Sequence, residues 1–519
     1  MAFVLIGFMG AGKSTVAAEL AEALGAKALD SDELLAERLG HPVAHEFALH
    51  GEASFRLAEQ ELVCRLLTEA APEAVIALGG GSITSERVRD ALEGHLTVWL
   101  DVDPQVAWAR VRAQPDGEER PLAQAKTEFL ALYASRRALY ERMADAILTD
   151  LPIGGAARTV AALRALAGAP EHTRLLWARS ASGDYPVLVG RGLLGAGEGE
   201  QLGTIWPLDR MRSRPFCVSD ETVAELYGER LGHLAGVTTI APGEGSKTLA
   251  SAERVWQAMI AAQLTRADHL VALGGGVVGD LAGFCAATYQ RGVPVVHVPT
   301  TLVAQVDSAY GGKTGVDLPE AKNYVGAYHQ PAGVLVDPDT LATLPDAELS
   351  AGWVEVLKTA LIAGGTLWES VARGGEVDAE MILACARTKL AAVAADERDG
   401  GRRQVLNLGH TVGHALETAT GYTRYRHGEA VGLGLLVALE LSGQSELREQ
   451  VRELMLARGL PVSIDEDIPL EGVLQAITRD KKRIGEEVPF VLVNAPGDVE
   501  YGRTLAGDDV RAAVAELVR

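Results

Sequence analysis

The chain has 519 residues, of which 48% are hydrophobic and 23% are charged. This composition is that of an ordinary globular protein, and the length predicts about three domains. The 70 acidic and 48 basic residues give a net charge of -22, which argues against binding to nucleic acid or to anionic membrane surfaces. Sites for anionic substrates would therefore need local clusters of lysine and arginine.

The four cysteines are widely spaced and form no CxxC pair, which favours reduced thiols in a cytoplasmic protein over a disulfide framework. The apolar segment from Met1 to Met9 has no basic region before it and continues into a glycine-rich loop, so we interpret it as a buried first strand and not as a signal peptide. No stretch is long and apolar enough to predict a membrane span.

Short apolar segments alternate with helical patterns over residues 1–168, which predicts a parallel sheet flanked by helices. The Gly- and Ala-rich stretch around Gly168 to Pro170 comes after a helical pattern and before a new strand pattern, so residues 169–173 are the predicted linker. A second α/β domain is predicted over 174–345, with YPVLVG, PFCVSD, HLVALGGG and VPVVHVPTT as candidate strands. Residues 346–519 have a mainly helical pattern, so we expect a helical third domain.

The segment GFMGAGKST follows the first apolar strand and has the spacing of a phosphate-binding loop. Its backbone amides would surround phosphates, Lys13 would reach the outer phosphates and the Ser14 hydroxyl would coordinate Mg²⁺. The predicted contacts with ATP and Mg²⁺ in this loop are Gly10, Ala11, Gly12, Lys13, Ser14 and Thr15. The motif predicts phosphoryl transfer from ATP, and the alternative is a chance glycine turn before a helix.

Further motifs follow the loop: Asp30-Ser31-Asp32, the pattern GExxFRxxE from Gly51 to Glu59, the triplet Gly79 to Gly81, Arg120-Pro121-Leu122-Ala123, and Arg136. With them the first domain resembles shikimate kinase over nearly the whole of residues 1–168. The family pattern RPLL departs only at Ala123. Gluconate and nucleotide kinases are rivals that lack this series of motifs.

The resemblance implies that Asp30 helps to hold Mg²⁺, that Asp32 orients the attacking hydroxyl, and that Arg120 on a lid stabilises the transferring phosphoryl group at the ATP site. The implied shikimate contacts are Asp32, Arg56, Gly79, Gly80, Gly81 and Arg136, with Glu59 holding Arg56. The doublet Arg136-Arg137 leaves the last assignment open by one residue.

Beyond the linker, the strand HLVALGGG leads into Gly274, Gly276 and Gly279 at the spacing of a dinucleotide fingerprint. The segments PGEGSK, PTTLVAQVDS, GGKTG and Lys322-Asn323 accompany it. Together they resemble 3-dehydroquinate synthase from about Arg174 to the C-terminus, which implies a Rossmann-like NAD-binding domain followed by a mainly helical metal-binding domain. Glycerol dehydrogenase, which has the same architecture and glycine-rich segment, is the nearest rival.

The helical part has a metal-binding signature. His410 and His414 lie on one helix face at i,i+4, and His427 follows in HGEAV. Two imidazoles and a carboxylate with an open position suit a catalytic Zn²⁺, and Co²⁺ suits similar ligands. The resemblance implies that the ligands are Glu355, His410 and His427.

The resemblance also implies the remaining site residues. Those that would contact NAD⁺ are Asp220, Glu244, Lys247, Gly275, Gly276, Val277, Asp280, Thr300, Thr301, Lys313, Lys322 and Asn323. Those that would hold the substrate are Arg291, Asp307, Lys313, Lys358, Lys389, Arg403, Asn407 and one lysine of Lys481-Lys482. The implied catalytic residues are Lys313, Lys358, Asp399 and His414. Because Arg291 matches an arginine that reaches the neighbouring subunit, a homodimer is expected.

The two resemblances together imply a bifunctional enzyme of aromatic amino acid biosynthesis. It would phosphorylate shikimate with ATP and convert 3-deoxy-arabino-heptulosonate 7-phosphate to 3-dehydroquinate with NAD⁺ and a metal ion. Three departures concern fine geometry: Tyr310 replaces a small residue, Trp353-Val354 replaces smaller ones, and Asp399 replaces glutamate. A scaffold with one dead half is the alternative class, but it would be expected to have lost Lys13 or a metal ligand.

Overall fold

The computed structural model describes residues 1–113, 125–195, 200–478 and 488–518. Contacts divide the chain into two compact units. The first comprises Met1–Ala178 and Pro186–Leu188, and the second comprises Arg179–Tyr185 and Val189–Arg519. Among the described residues, no helix is long and apolar enough to cross a membrane.

The first unit is built on a parallel sheet with helices between its strands. The strands are β1 Phe3–Ile6, β2 Ala28–Asp30, β3 Val75–Ala77, β4 Leu96–Asp101, β5 Ala146–Thr149 and β6 Arg174–Ser180. The helices are α1 Lys13–Leu24, α2 Ser31–Leu39, α3 Val43–Thr68, α4 Glu86–Leu92, α5 Pro104–Arg112, α6 Lys126–Met143 and α7 Val160–Ala167. Helix α3 is broken at Gly51, whose φ is 80°.

The strand order β2-β3-β1-β4-β5-β6 places β1 inside this sheet, and each neighbouring pair is parallel. Strands β1 and β3 are wholly buried, which explains their continuous apolar sequences. Leu175 and Trp177 of β6 pair with β5, so the first unit extends past the predicted linker at 169–173. The predicted P-loop α/β fold is confirmed.

The remaining strands are β7 Gly183–Val189, β8 Pro215–Asp220, β9 Gly236–Ile240, β10 His269–Gly274, β11 Val295–Pro299, β12 Lys313–Leu318, β13 Ala321–Tyr328, β14 Gly333–Val336, β15 Pro489–Ala495 and β16 Asp498–Thr504. The remaining helices are α8 Glu200–Ile205, α9 Glu221–Tyr227, α10 Leu249–Ala261, α11 Gly276–Thr288, α12 Asp346–Ala363, α13 Gly365–Ala372, α14 Ala379–Ala395, α15 His410–Ala419, α16 His427–Leu441, α17 Ser445–Leu456, α18 Leu470–Thr478 and α19 Gly507–Leu517.

The second unit combines a parallel sheet with a helical part. The order β14-β11-β10-β8-β9 is parallel throughout, whereas β12–β13 and β15–β16 are antiparallel hairpins. Helix α12 approaches the sheet part so closely that a Cβ on Gly352 would lie 2.9 Å from that of Leu302. The predicted boundary at 345/346 therefore lies inside one compact unit. The predicted Rossmann-like and mainly helical parts are confirmed.

Candidate active sites

The loop between β1 and α1 curls around its own lysine. Gly7, Gly10 and Gly12 have φ values of 148°, 80° and 89°, which other residues rarely adopt. A Cβ on Gly10 would lie 2.4 Å from the carbonyl oxygen of Ala107, so this close approach to α5 requires glycine. The Lys13 ammonium donates a hydrogen bond to the Gly7 carbonyl at 2.9 Å. The N-terminus of α1 thus faces a concave loop of the kind that binds phosphate.

Ser14 and Asp30 meet beside this loop. The Ser14 hydroxyl donates to Oδ2 of Asp30 at 2.6 Å. The other oxygen of Asp30 accepts from the backbone amides of Asp32 and Glu33 at 2.9 and 3.4 Å, so it caps α2. The cap fixes the carboxylate next to the hydroxyl. Such a pair of oxygens suits a hard divalent cation such as Mg²⁺.

Arg56 on α3 is held against the glycine triplet by two glutamates. It donates to Glu59 at 2.6 Å and to Glu52 at 3.3 Å. Glu59 is buried and also accepts from the Ser82 hydroxyl at 2.8 Å. A Cβ on Gly81 would lie 2.3 Å from Nη1 of Arg56. The guanidinium therefore occupies the space that the missing side chain of Gly81 leaves.

Arg136 and Asp32 approach the other glycines of the triplet. Arg136 donates to the Gly80 carbonyl at 3.2 Å, and the Tyr140 hydroxyl donates to the same oxygen at 2.5 Å. Burial raises the pKa of Tyr140 and keeps it a proton donor. A Cβ on Gly79 would lie 2.7 Å from Oδ1 of Asp32. The structure thus brings the predicted shikimate contacts together, and the arginine that reaches the triplet is Arg136.

One further arginine at the phosphate loop was not predicted. Arg110 on α5 donates to the Gly10 carbonyl at 3.5 Å. No local motif marks it, because its partner is far away in sequence. The predicted lid residues Arg120, Pro121, Leu122 and Ala123 lie outside the described residues.

In the second unit, three potential metal ligands from three helices converge. Nε2 of His410 and Nε2 of His427 lie 3.7 and 3.5 Å from Oε1 of Glu355, and the three ligand atoms lie within 4.8 Å of one another. Glu355 is 1% exposed; its Oε1 faces the two imidazoles, and its Oε2 lies 2.5 Å from the Lys358 ammonium. A divalent metal ion would satisfy this buried carboxylate and the two imidazoles.

Glycines allow the two histidine-bearing helices to approach. Gly409 precedes α15 with a φ of 77°, and a Cβ on Gly434 would lie 1.9 Å from its carbonyl oxygen. No larger residue at Gly434 would permit this packing. Because His410 and His427 are the first residues of α15 and α16, the close approach sets the positions of both rings.

Next to Glu355 lies a chain of alternating charges. The Lys358 ammonium is 2.5 Å from Glu355 and 3.8 Å from Asp307, and Lys389 is 3.0 Å from Asp307. Burial opposes ionisation of Asp307, but Lys389 and Lys358 outweigh it and lower its pKa to about 2. Burial lowers the pKa of Lys389 to about 8 against the attraction of Asp307. The buried site is thus poised to receive an anionic group.

His427 lies between two carboxylates. Its Nε2 faces Glu355, and its Nδ1 lies 3.3 Å from Glu417. Burial opposes the charged imidazole, but the contacts with the two carboxylates outweigh it and raise the pKa of His427 to about 10. Binding of a metal ion at Nε2 would require that nitrogen to be deprotonated.

Two more predicted residues meet at the base of the β12–β13 hairpin. Lys313 is 2.6 Å from Asp399, so the aspartate side chain is long enough to form an ion pair with this lysine. Arg403 is 2% exposed and donates to the Gly311 carbonyl at 3.0 Å. Tyr310 lies in the core, where its hydroxyl donates to a backbone carbonyl at 2.6 Å. The bulky Tyr310 is therefore a packing residue.

Glycines also shape the turn between β10 and α11. A Cβ on Gly274 would lie 2.7 Å from a methyl carbon of Val278, and one on Gly275 would lie 2.8 Å from a methyl carbon of Thr301. The α11 N-terminus begins at Gly276. A tight strand-to-helix turn of this kind lets a dinucleotide approach the backbone and the helix end.

Lys247 is the centre of an ionic cluster beside this turn. It lies 2.9 Å from Glu244 and 3.3 Å from Asp280, and it donates to the Asn323 side chain at 2.8 Å. Burial is the largest influence on Asp280 and raises its pKa to about 6. Asp317, which was not predicted, accepts from the Asn323 backbone amide at 2.8 Å. The cluster fixes the predicted cofactor residues against one another.

A cavity of about 1080 Å³ extends from the cofactor turn to the proposed metal ligand His427. The predicted residues that line it are Asp220, Glu244, Lys247, Gly275, Gly276, Val277, Asp280, Thr301, Asp307, Lys322, Asn323, His414 and His427. Thr300 is buried, and its backbone amide donates to Gly274 at 3.1 Å. Arg291 is exposed. Asn407 ends the turn before α15, and Lys481 and Lys482 lie outside the described residues.

Glu417 and Tyr422, which lie near the metal ligands, were also not predicted. Glu417 contacts His427, and its other oxygen lies 3.9 Å from Lys322. The Lys322 ammonium is 4.1 Å from the centre of the Tyr422 ring. The spacing His414-x-x-Glu417 places His414 and Glu417 on one face of α15, which was the available sequence signal for Glu417.

Three family models match the chain. The shikimate kinase model matches residues 9–152, the 3-dehydroquinate synthase N-terminal model matches 237–351, and the C-terminal model of the same family matches 352–483.

Among curated relatives, a 3-dehydroquinate synthase from Halorhodospira halophila is 41% identical, covering 66% of this chain and 100% of that protein. One from Symbiobacterium thermophilum is 42% identical over 64% of this chain and 98% of its own length. Among solved structures, a 2-epi-5-epi-valiolone synthase from Streptomyces hygroscopicus, with NAD⁺ and Zn²⁺ bound, is 27% identical with a TM-score of 0.57 and covers 64% of this chain and 96% of its own.

Proposed function

The chain belongs to the 3-dehydroquinate synthase family and carries a shikimate kinase domain at its N-terminal end, and on this premise we propose how its residues perform two reactions. The chain is a bifunctional enzyme of the shikimate pathway. It phosphorylates shikimate with ATP, and it converts 3-deoxy-arabino-heptulosonate 7-phosphate to 3-dehydroquinate with release of phosphate, using NAD and a metal ion.

The kinase proposal rests on the convergence of Asp32, Arg56 and Arg136 at the glycine triplet. The two arginines bind the shikimate carboxylate, and Glu59 fixes Arg56 before the ligand arrives, which reduces the cost of ordering. Asp32 orients the attacking hydroxyl and takes its proton. As the new oxygen–phosphorus bond forms, the bond between the terminal phosphoryl group and ADP breaks.

The phosphate loop positions the donor. Lys13, which now contacts its own loop carbonyls, would turn to the phosphates and stabilise their charge. When bound, Mg²⁺ would be held at Ser14 and Asp30 and would neutralise charge on the phosphates. Arg110 adds a second cation at this loop.

The synthase proposal rests on the buried carboxylate of Glu355 between the imidazoles of His410 and His427. These three residues would hold Zn²⁺ or Co²⁺, since both accept this ligand set. When bound, the metal ion and NAD⁺ supply acidification of the C5 hydroxyl and reversible hydride acceptance. The Lys247 cluster and the glycine turn hold the cofactor at the edge of the same cavity.

The charged residues around Asp307 bind the substrate anions and move protons. Lys358, Lys389 and Arg403 provide fixed cations, and Asp307 keeps both lysines in place. His414 lines the cavity and would accept the C6 proton once C5 is a ketone. As that proton leaves, the C7–oxygen bond to phosphate breaks and a C6–C7 double bond forms. Lys313 and Asp399 form a second proton-transfer pair.

The direct experiment assays the purified chain for two separate activities. ATP consumption should require shikimate, and phosphate release should require the heptulosonate phosphate, NAD⁺ and Zn²⁺ or Co²⁺. Each substrate is omitted in turn as the control. Shikimate-independent ATP hydrolysis alone would contradict the kinase half, and failure of phosphate release after metal reconstitution would contradict the synthase half.

We further propose a homodimer in which Arg291 serves the neighbouring subunit's phosphate site. Arg291 is exposed, and its φ of 71° is one that residues other than glycine seldom adopt. Mixing Arg291→Ala chains with His427→Ala chains should restore phosphate release, because the first kind keeps its metal site and receives the arginine from the second. No restoration in verified mixed dimers would place Arg291 in its own chain's site.

We propose a cytoplasmic location for this enzyme. Each cysteine is free: Cys64, Cys217, Cys285 and Cys385. Reduced thiols fit that compartment. Recovery of both activities from a periplasmic or membrane fraction would contradict the proposal.

A further inference from the structure

Glu417 is a buried acid that the two reactions described above do not use. It is 6% exposed and lies on α15, one turn after His414. One oxygen lies 3.3 Å from Nδ1 of His427, and the other lies 3.9 Å from the ammonium of Lys322. Glu417 thus connects a proposed metal ligand to a residue of the cofactor cavity.

The two ring nitrogens of His427 face different carboxylates. Nε2 lies on the side of Glu355 and the metal position, whereas Nδ1 lies on the side of Glu417. A metal-bound histidine usually donates its other ring N–H to an acceptor, which fixes the tautomer and the orientation of the ring. Glu417 is placed to be that acceptor, because its Oε2 lies 3.3 Å from Nδ1.

A competing explanation is a second metal ion. His414, Glu417 and His427 also form a group whose ligand atoms lie within 4.8 Å of one another. However, the Lys322 ammonium lies 3.9 Å from Glu417 and 3.5 Å from Glu244, and it is 4.1 Å from the centre of the Tyr422 ring. A cation fixed at this position would repel a second divalent ion. The charge pattern favours a carboxylate that accepts a hydrogen bond.

Tyr422 gives independent support to the placement of Lys322. Its φ is 60°, a left-handed conformation that costs a non-glycine residue on the order of 1–3 kcal/mol. Tyr422 closes the C-terminal turn of α15, where its backbone amide donates to the Glu417 carbonyl at 2.8 Å, and its ring forms a cation–π contact with Lys322. The same turn thus carries both Glu417 and the aromatic ring that contacts Lys322.

We propose that Glu417 is a positioning residue for the metal centre: it accepts the Nδ1–H of His427 and holds Nε2 towards the metal, while Lys322 balances its charge. This inference rests on the proposed metal site of Glu355, His410 and His427. It adds a residue that acts on the metal ion only through the imidazole that it orients.

The test measures Zn²⁺ affinity of the full chain by competition with a chromophoric chelator. Glu417→Ala removes the acceptor and should weaken binding about 10- to 100-fold, the usual effect of losing such a partner. Glu417→Gln keeps an acceptor oxygen without the charge and should give a smaller loss. The matched control is Glu440→Gln on α16, which loses only an ion pair with Arg448 and should bind Zn²⁺ as the wild type does.

A second readout is the visible absorption spectrum of the Co²⁺-loaded chain. It should change in Glu417→Gln and not in Glu440→Gln, because a reoriented imidazole alters the ligand field. Glu417→Gln is nearly isosteric, so it remains informative if the alanine variant does not fold. Zn²⁺ affinity within threefold of wild type in Glu417→Gln, with an unchanged Co²⁺ spectrum, would overturn the inference.

Stoichiometry separates the remaining possibilities. One ion per chain supports the proposal, and two ions per chain, with one lost in Glu417→Ala, would overturn it in favour of a second metal site. A wild-type chain that binds neither Zn²⁺ nor Co²⁺ would instead refute the proposed metal centre. Failure of the inference and failure of the proposed function are therefore distinguishable.

Discussion

Replacement of Gly81 by alanine should disable shikimate binding while leaving the fold intact. The φ of Gly81 is -109°, which alanine adopts without strain. The new Cβ would, however, lie 2.3 to 2.5 Å from three atoms of the Arg56 guanidinium. Because these atoms are the flexible end of a long side chain, Arg56 will move and the backbone will not.

The displaced guanidinium can no longer meet both Glu59 and the substrate carboxylate. Loss of one hydrogen bond between charged groups costs about 1.5–3 kcal/mol, which corresponds to a fall of about 10- to 150-fold in kcat/KM for shikimate. KM for ATP should stay within about twofold, because the phosphate loop is untouched. Arg56→Ala should cause a comparable loss.

Steady-state kinetics with both substrates varied, together with thermal unfolding, check this prediction. Phosphate release by the synthase part of the same molecule is the internal control. The assignment of Arg56 to the shikimate carboxylate would be refuted by a folded Gly81→Ala chain whose kcat/KM for shikimate is within twofold of wild type.

Three other outcomes are expected. Lys389 has a pKa of about 8 and loses its charge as pH rises through that value, so kcat/KM of phosphate release should fall above pH 8. In Lys389→Arg this fall should move to higher pH, and a fall at the same pH in that variant would exclude Lys389 as its cause. Only Cys64 should react quickly with a thiol reagent, because burial raises the pKa of Cys217 and Cys285 to about 12 and Cys385 is also buried. Fast labelling of two or more thiols in the native chain would contradict this packing. A Zn²⁺ chelator added with excess Mg²⁺ should abolish phosphate release and spare shikimate phosphorylation; equal loss of both activities would argue against a metal site confined to the synthase part.

Local motifs were predicted from the sequence because their function lies in consecutive residues. The loop from Gly7 to Thr15 needs only a strand before it and a helix after it, and the structure has both. The ligands Glu355, His410 and His427 were predicted from a resemblance, and their convergence depends on glycines that let α15 and α16 approach.

Contacts between distant elements could not be predicted in this way. Arg110 and Glu417 gain their positions from packing of elements that no short motif links. The choice between Arg136 and Arg137 turned on a rotation of about 100° around α6, and only the structure shows that Arg136 reaches Gly80. Tyr310 departs from the family pattern in sequence, but its side chain belongs to the core.

The most direct test of the claim that one chain performs two separate reactions uses a reciprocal pair of variants. Lys13→Ala and His410→Ala are assayed side by side for shikimate-dependent ATP consumption and for NAD⁺-dependent phosphate release from the heptulosonate phosphate. The expected result is that Lys13→Ala loses only the first activity and His410→Ala only the second. Loss of both activities in a folded variant, or of neither in either variant, would contradict the claim.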